Sequence, residues 1–482
     1  MTLQKVARES FVYTLSAALT RAILFLIIPL YVAYLSPDDF GLVNLFQMYV
    51  GFGTVFILLG LDQAIIRFFP VSDEEAKQSY FSSAILVVVI TALFMTGVFL
   101  FFHKFWSLKL FDNRLVGKQI WWLVSILLAE SLYVFIVAAY KASREVTQLL
   151  FLNVLKFSSF LASNVVCLHF FHFKVQGVLF SFLLCDVVTI LAAFRVWRYL
   201  KISTFNLSFL KELLRYGLPL APNIVFALLL FQADHYLLKV YCGLTVVGYY
   251  AFGYKIGSAL IYLLWIVNNA WMPHLFGLKE EEIPEQLTKI LMWTLFVVFS
   301  CYLVLDSVAR LLGTHILPES YWPSLPIITW VGMAYLVFIF SNVVDTIFNY
   351  FKKVLYIPII LAVCALLNVG LNILLIPKYE MYGAVWATVI SFVLAAVFTL
   401  LVLHHRHWIL FDWKQVTKLA MIFTFSKIWT WLPFCSDGWG VVALHGLSVI
   451  LFFGTIGFVF PQYKQEFQRT LIRVFRKVFS RS

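Results

Sequence analysis

The chain has 482 residues, of which 62% are hydrophobic and 12% are charged, and its formal net charge is +12 at pH 7. Soluble domains are about one quarter charged, and the mean hydropathy here is +0.91. This composition excludes a chain of ordinary soluble domains and predicts an integral membrane protein.

Apolar runs long enough to cross a membrane recur along the whole chain, with short polar breaks between them. A helix of about 20 apolar residues spans the hydrocarbon core, so the pattern predicts an all-α fold of about 14 transmembrane helices. The thirteenth span is the weakest because Lys418 and Lys427 interrupt it. The predicted spans are 10–35, 40–62, 79–102, 118–140, 148–171, 176–196, 213–238, 243–268, 288–312, 325–350, 354–376, 381–404, 415–434 and 440–460.

The distribution of Lys and Arg predicts the orientation. If the N-terminus is placed in the cytoplasm, the cytoplasmic segments contain about three times as many Lys and Arg residues as the outside loops. This excess is the positive-inside pattern. Both termini are therefore expected in the cytoplasm, and the loop 103–118 is a local exception. The same distribution argues against nucleic acid as a partner.

Arg21 lies near the middle of the first span, on a face with Thr14, Ala17 and Ala18. A charge at the bilayer centre costs about 2.5–3.5 kcal/mol on insertion scales, so it usually faces a cavity or a partner. Arg21 is therefore a candidate substrate-binding residue. The alternative is that its side chain snorkels towards the headgroups.

The second span carries a polar stripe at helical spacing. Asn44, Gln47 and Asp62 belong to it, together with two small residues, Gly51 and Thr54. Such stripes are typical of tight helix packing in membranes, and they are equally compatible with the lining of a substrate-binding cavity. Asn44, Gln47 and Asp62 are candidate substrate-binding residues, with packing as the alternative.

Three ionisable residues of the fourth, fifth and sixth spans, Glu130, Lys156 and Asp186, lie at a similar depth. Opposite charges within the membrane usually pair with one another. The conservative interpretation is a neutralising ion pair inside the first lobe. The alternative is a relay that couples transport to a proton or another cation.

The seventh and eighth spans add further candidates. Asp234 lies downstream of Pro219 and Pro222, which are predicted to kink or break the helix beside a cavity; Asp234 joins the candidates for ion coupling or intramembrane pairing. Lys255 lies in mid-span, and Asn269 follows on the same helical face. Packing explains a mid-membrane lysine poorly, so Lys255 and Asn269 are candidate substrate-binding residues.

Other chemically conspicuous residues predict no site. Asp306 and Arg310 are spaced as a local ion pair. The cluster 404–407 contains three histidines at the inner end of a span, where cationic residues meet headgroups, and we predict no metal site there. The cysteines are spaced singly and are expected to be packing residues: Cys167, Cys185, Cys242, Cys301, Cys364 and Cys435.

An internal repeat divides the chain. The segment that starts at Gly41 in the second span matches the segment at Gly248 in the eighth, and Gln176-Gly-Val matches Tyr382-Gly-Ala. Parallel repeats are a known transporter plan, with the substrate site between the halves. We predict six-helix lobes at 1–202 and 203–408, an appended helix pair at 409–461, and a basic amphipathic tail at 462–482; an unstructured tail is the alternative.

The chain resembles the Wzx-type polysaccharide flippases of the multidrug/oligosaccharidyl-lipid/polysaccharide (MOP) exporter superfamily. The resemblance covers roughly 1–460 and rests on Ser36-Pro-Asp-Asp-Phe-Gly41, Tyr216-Gly-Leu-Pro-Leu220 followed by Asp234, and Tyr382-Gly-Ala-Val-Trp-Ala387. It implies an alternating-access transporter with two six-helix lobes. The implied cargo is an undecaprenyl-pyrophosphate-linked oligosaccharide, moved from the cytoplasmic to the periplasmic leaflet of the bacterial inner membrane.

Two other functions stay open. A multidrug or small-molecule antiporter of the same superfamily would favour an acidic cavity for cationic drugs, whereas Arg21 and Lys255 suit an anionic lipid headgroup. A membrane polymerase or ligase of polysaccharide assembly is expected to carry a larger loop. We expect no enzyme activity, catalytic residue or cofactor. Expected partners are the lipid-linked oligosaccharide and membrane lipids, with H+ or Na+ and polysaccharide polymerase or chain-length proteins as further candidates.

Overall fold

The computed structural model describes residues 26–111, 118–315, 317–406, 408, 412–428 and 438–460. Every regular element over these residues is helical. The all-α prediction is confirmed. Arg21, Cys435 and the tail 462–482 lie outside the described residues.

The described residues in the first part of the chain form nine helices. The second begins with a capping box, in which Ser36 Oγ accepts from Asp39 N at 3.2 Å and Asp39 Oδ2 accepts from Ser36 N at 3.2 Å. This pairing satisfies backbone donors that a helix start leaves free. The helices are α1, described over 26–34, α2 (Pro37–Leu58), α3 (Leu61–Phe68), α4 (Glu74–Phe101), α5 (His103–Phe111), α6 (Lys118–Ala142), α7 (Val146–Val165), α8 (Lys174–Ala192) and α9 (Leu207–Gly217).

Eight helices follow. A 3-10 turn at Leu218–Leu220 separates α9 from α10, at the point where the sequence predicts a break, because Pro219 and Pro222 cannot continue a regular helix. Non-helical backbone at Glu380 interrupts the 50-residue α15. The helices are α10 (Ala221–Cys242), α11 (Leu244–Gly257), α12 (Ile261–Leu275), α13 (Ile283–His315), α14 (Leu325–Tyr350), α15 (Tyr356–His405), α16 (Trp413–Ile428) and α17 (Gly438–Val459).

Within the described part of the chain, nine helices are long and apolar enough to cross a membrane. Because α15 covers two predicted spans, these nine helices account for ten of the 14. The turn Ser258–Leu260 divides the eighth span between α11 and α12. The weak thirteenth span is α16, whose 16 residues reach about 24 Å at 1.5 Å per residue. The chain is a multi-pass membrane protein.

The chain divides into two compact units. Unit 1 comprises Met1–Ala251 and Leu361–Met381, and unit 2 comprises Phe252–Ile360 and Tyr382–Ser482. Unit 1 has its own core, in which Phe81 and Phe135 are fully buried with ring centroids 5.5 Å apart. The six-helix lobes inferred from the repeat are a separate grouping and stay a prediction.

Within unit 1, the first turns of α2 and α11 touch backbone to backbone. A Cβ added to Gly41 would lie 2.9 Å from Gly248 N, and a Cβ added to Gly248 would overlap the Pro37 carbonyl. Beside them, the hydroxyl of Thr245 donates to a carboxylate oxygen of Asp38. Only glycine allows the two helices to approach so closely.

Gly248→Ala is expected to destabilise the protein by about 1–3 kcal/mol, the usual cost of overpacking a tight contact. The measurement is the free energy of unfolding of the purified protein in detergent. Gly97→Ala is the matched control, because a Cβ there meets nothing within 4 Å, and it is expected to leave stability unchanged or slightly raised. Equal effects of the two substitutions would contradict the close approach.

In unit 2, a buried charge network joins α13, α14, α16 and α17. Asp306 accepts hydrogen bonds from Thr329 and from Lys427, and His445 Nδ1 lies 2.8 Å from Asp306 Oδ2. The pair that the spacing predicts between Asp306 and Arg310 stays a prediction, because the side chain of Arg310 is not described. Asp306 on α13 thus explains how Lys427 is tolerated in an apolar run, because a buried ammonium requires a partner.

Candidate functional site

A cavity of about 520 Å³ lies inside unit 1, between α2, α6, α7 and α8. This volume falls within the usual range for ligand pockets, which hold a few polar groups among apolar walls. The walls here have the same character. Apolar lining residues include Phe46, Val50, Phe157, Phe160 and Phe182, and polar ones include Gln47, Thr54, Glu130, Asn153 and Lys156.

Glu130, Lys156 and Asp186 meet at one wall of this cavity, and we call them the charge cluster. Lys156 Nζ lies 2.8 Å from Glu130 Oε2 and 2.7 Å from Asp186 Oδ1. The side chain of Asp186 is 1% exposed, whereas that of Glu130 is 29% exposed. The pairing predicted from depth is therefore present, and the Glu130 carboxylate is the part that remains accessible.

Tyr133 and Asn153 complete the surroundings of the lysine. Lys156 Nζ lies 3.4 Å from the centroid of the Tyr133 ring, a cation–π contact, and Tyr133 Oη donates to Asn153 Oδ1 at 3.0 Å. The sequence analysis missed Tyr133. Its spacing from Glu130, one helical turn on the same helix, is the signal that identifies it.

The polar stripe of the second span is divided by the structure. Gln47 lines the cavity, and so do the small residues Gly51 and Thr54. Asn44 is buried on the same helix and is not among the lining residues that the structure describes.

Asp62 does not belong to the same helix, which corrects the single helical stripe predicted from the spacing. α2 ends at Leu58, and the next two residues, Leu59 and Gly60, have left-handed φ angles of 50° and 74°. Asp62 therefore lies on α3, where its Oδ2 accepts from Gln63 Nε2 at 2.7 Å. A left-handed pair ends a helix and redirects the chain.

Asp234 lies apart from the charge cluster, in a buried network between α10 and α11. Its Oδ2 accepts from Tyr250 Oη at 2.5 Å, and its Oδ1 lies 2.8 Å from His235 Nδ1. A carboxylate with these partners is well satisfied in a buried position. The structure favours intramembrane pairing for Asp234.

Of the remaining candidates, Lys255 is partly exposed on α11, in unit 2. Asn269 lies on α12, and its side chain is not described.

Asp345 was missed by the sequence analysis: its Oδ1 accepts from Thr399 Oγ1 at 2.8 Å, which joins α14 to α15. The signal was its ionisable side chain inside an apolar span.

The arrangement in unit 1 provides hydrogen-bonding groups and one accessible carboxylate inside an apolar lobe. No strand and no metal-ligating cluster of three or more residues is seen among the described residues. Such a cavity suits binding and conduction of a polar group through the membrane.

A family model described as "Polysaccharide biosynthesis protein" matches residues 6–279, more than half of the chain. No curated protein matches the chain at a significant level. The family model therefore shows the family to which the chain belongs.

Solved structures with the same fold are membrane transporters. The lipid II flippase MurJ, in an inward closed conformation, has a TM-score of 0.75 at 12% identity, over 94% of this chain and 99% of that chain. An inward-facing multidrug resistance MATE family transporter of the MOP superfamily has a TM-score of 0.64 at 16% identity, over 80% and 94%. A MOP superfamily transporter from Pyrococcus furiosus, described by the reverse polarity of its binding pocket, has a TM-score of 0.52 at 15% identity, over 83% and 95%.

Proposed function

Because the chain belongs to the polysaccharide biosynthesis protein family, we propose that it is a flippase for a lipid-linked oligosaccharide. The cargo is an undecaprenyl-pyrophosphate-linked repeat unit of O-antigen, capsule or exopolysaccharide. It moves from the cytoplasmic to the periplasmic leaflet of the bacterial inner membrane, and both termini lie in the cytoplasm. The protein carries out no covalent chemistry.

The observation that supports this proposal most is the cavity of unit 1. It has about 520 Å³ and contains glutamine, asparagine and carboxylate groups in a lobe otherwise made of apolar helices. Polar groups within a membrane are costly and are usually retained for function. A glycan that crosses the bilayer needs such a hydrated or hydrogen-bonding passage, since each unsatisfied polar group costs several kcal/mol in hydrocarbon.

The pyrophosphate of the cargo is assigned to the cationic candidates Arg21 and Lys255, one in each proposed lobe. Arginine binds phosphate through two parallel hydrogen bonds, and lysine acts as a point charge. Outward movement of negative charge is favoured by about 2.3 kcal/mol per charge for each 100 mV of a negative-inside potential. Asn44, Gln47, Asp62 and Asn269 are proposed as further cargo contacts.

Coupling to H+ or Na+ is assigned to the charge cluster, and Asp234 is a further candidate for this role. Two carboxylates share one lysine in the cluster, so that uptake of one proton or monovalent cation changes its charge from negative to neutral, and release reverses this change. The same proposal assigns alternating access to the lobes 1–202 and 203–408, with 409–461 as an appended pair. Membrane lipids and polysaccharide polymerase or chain-length proteins are proposed partners.

A second candidate function, an antiporter for organic cations, is favoured by one observation. Aromatic side chains surround an accessible carboxylate in the cavity, an arrangement that suits ammonium groups through cation–π contacts. Binding of tetraphenylphosphonium to the purified protein with an affinity that glycolipid does not reduce would favour this function.

The test of the flippase proposal is leaflet exchange. Purified protein is reconstituted into vesicles that contain a fluorescent undecaprenyl-pyrophosphate oligosaccharide, and a membrane-impermeant quencher reports the outer-leaflet fraction. Protein-dependent exchange is expected, faster under a negative-inside potential when the cargo moves outward. Absence of exchange with the cognate lipid under any ion gradient or potential would show that the proposal is wrong.

Lys255→Ala is expected to lower the rate of exchange about ten- to a hundredfold, the effect of losing one charged hydrogen bond to the moving phosphate. Arg21→Ala is expected to have an effect of the same size. Lys353→Ala, at an exposed lysine beyond the end of α14, is the matched control and should exchange at the wild-type rate. Wild-type exchange by both test variants would reassign Arg21 and Lys255 to helix packing.

A further inference from the structure

Among the residues that the structure describes, the unit 1 cavity presents no free ammonium to a ligand. Glu130 and Lys156 are the charged side chains among its described lining residues. An ammonium group has three N–H donors. The three contacts of Lys156 Nζ, at 2.8 Å to Glu130, 2.7 Å to Asp186 and 3.4 Å to the Tyr133 ring, account for all of them.

Among the described lining residues, the charged group that a ligand meets with open hydrogen-bonding capacity is a carboxylate. Two carboxylates share the single ammonium of the cluster. Asp186 is 1% exposed and Glu130 is 29% exposed. The accessible carboxylate is therefore that of Glu130, which accepts hydrogen bonds and donates none when it is ionised.

The other walls suit a sugar. Aromatic rings from α2, α6, α7 and α8 line the space, and the rings of Phe160 and Phe182 lie 4.9 Å apart. Such rings offer broad apolar faces for the C–H faces of a pyranose. Gln47 and Asn153, at the same walls, carry both donors and acceptors for hydroxyl groups.

We propose that this cavity binds the sugar end of the cargo and selects it by charge. It accepts sugars that present a hydroxyl or an amino group to Glu130, and it rejects sugars that present a carboxylate there. The inference rests on the proposed function, since it takes a lipid-linked oligosaccharide as the cargo.

Two physical effects give this selectivity its direction. An ammonium donates a charge-assisted hydrogen bond to Glu130, which is about twice as strong as a neutral one. A sugar carboxylate would instead meet a like charge in a water-poor site, where repulsion is much larger than in bulk water. The pyrophosphate is excluded from this cavity for the same reason and lies elsewhere in the transporter.

The experiment uses the full chain and three undecaprenyl-pyrophosphate disaccharides that differ in one terminal sugar: glucose, glucosamine or glucuronic acid. Equilibrium binding is measured in nanodiscs, and leaflet exchange is measured in vesicles. Wild-type protein is expected to bind the glucose and glucosamine forms at least about tenfold more tightly than the glucuronic acid form. The order of the exchange rates is expected to be the same.

Glu130→Gln is expected to remove the discrimination between the three sugars. Compared with wild-type protein, this variant binds the glucuronic acid form more tightly and the glucosamine form more weakly. This variant keeps Lys156 paired with Asp186, so its fold is retained. Gln47→Ala is the second variant and should weaken all three forms by a similar factor, with their order kept. Glu145→Gln, at a carboxylate that pairs with Arg198 outside the cavity, is the matched control.

Two results would overturn the charge selection. One is equal affinity of wild-type protein for the three forms, and the other is a change in affinity by the same factor for all three forms in Glu130→Gln. If the vesicles exchange all three forms alike, the proposed function stands and this inference is wrong. If none is exchanged while binding keeps its order, the flippase proposal fails and the cavity remains a charge-selective sugar site.

Discussion

Lys156→Met is expected to destabilise the protein by about 3–5 kcal/mol, the usual cost of removing one partner of a buried ion pair. The substitution leaves the carboxylates of Glu130 and Asp186 facing each other with no ammonium between them. The measurement is the free energy of unfolding in detergent, together with the pH dependence of leaflet exchange.

The matched control for this prediction is Lys77→Met. Lys77 has the same side-chain exposure as Lys156, 21%, and it also pairs with a glutamate at 2.8 Å, but that partner, Glu74, is 68% exposed. An exposed pair contributes about 0–1 kcal/mol. Equal losses from the two lysines would show that burial of the cluster adds nothing to its stability.

A triple variant separates the two interpretations of the charge cluster. Lys156→Met combined with Glu130→Gln and Asp186→Asn carries no charge at this wall and is expected to regain most of the lost stability. If it also exchanges cargo with the wild-type dependence on pH and on the sodium gradient, the cluster is a structural ion pair and the coupling proposal is wrong. Loss of that dependence in a folded triple variant supports coupling.

Asp306→Asn is expected to destabilise unit 2 by about 3–5 kcal/mol, because it leaves the ammonium of Lys427 buried without its counter-charge. The side chains are 0% and 3% exposed, respectively. Lys427→Met is expected to cost a similar amount, and the double variant is expected to cost much less than the sum. A double-mutant cycle on the free energy of unfolding measures this coupling.

The control cycle uses Glu145 and Arg198, whose guanidinium lies 2.9 Å from the carboxylate but is 57% exposed. Its coupling energy is expected to stay below about 1 kcal/mol. If the Asp306–Lys427 cycle gives a value this small, the buried network does not hold α16 against α13, and Lys427 is tolerated for another reason.

The membrane fold and the charge cluster were predictable because each depends on local information. Apolar runs identify helices whatever they pack against. Glu130, Lys156 and Asp186 are ionisable groups at one depth, and the cost of an unpaired charge in a membrane forces them to meet. The cavity beside them was not predictable, since its volume depends on how four helices pack.

Two cases show where the sequence pattern is insufficient. The apolar run continues past Leu59 and Gly60, so helical spacing placed Asp62 on the same face as Gln47, although the left-handed backbone ends α2 before it. For Asp306 the spacing indicates only a local pair with Arg310, one turn away. In the structure Asp306 pairs with Lys427, which lies 121 residues further along the chain, and only tertiary packing brings these two together.

The contact between Gly41 and Gly248 joins two positions that are equivalent in the repeat predicted from the sequence. A contact between equivalent positions is what a twofold axis produces in a homodimer, where one surface is complementary to itself. In such a dimer one substitution alters both sides of the interface at once. In the single chain the two glycines are separate positions, so asymmetry can arise at this contact one residue at a time.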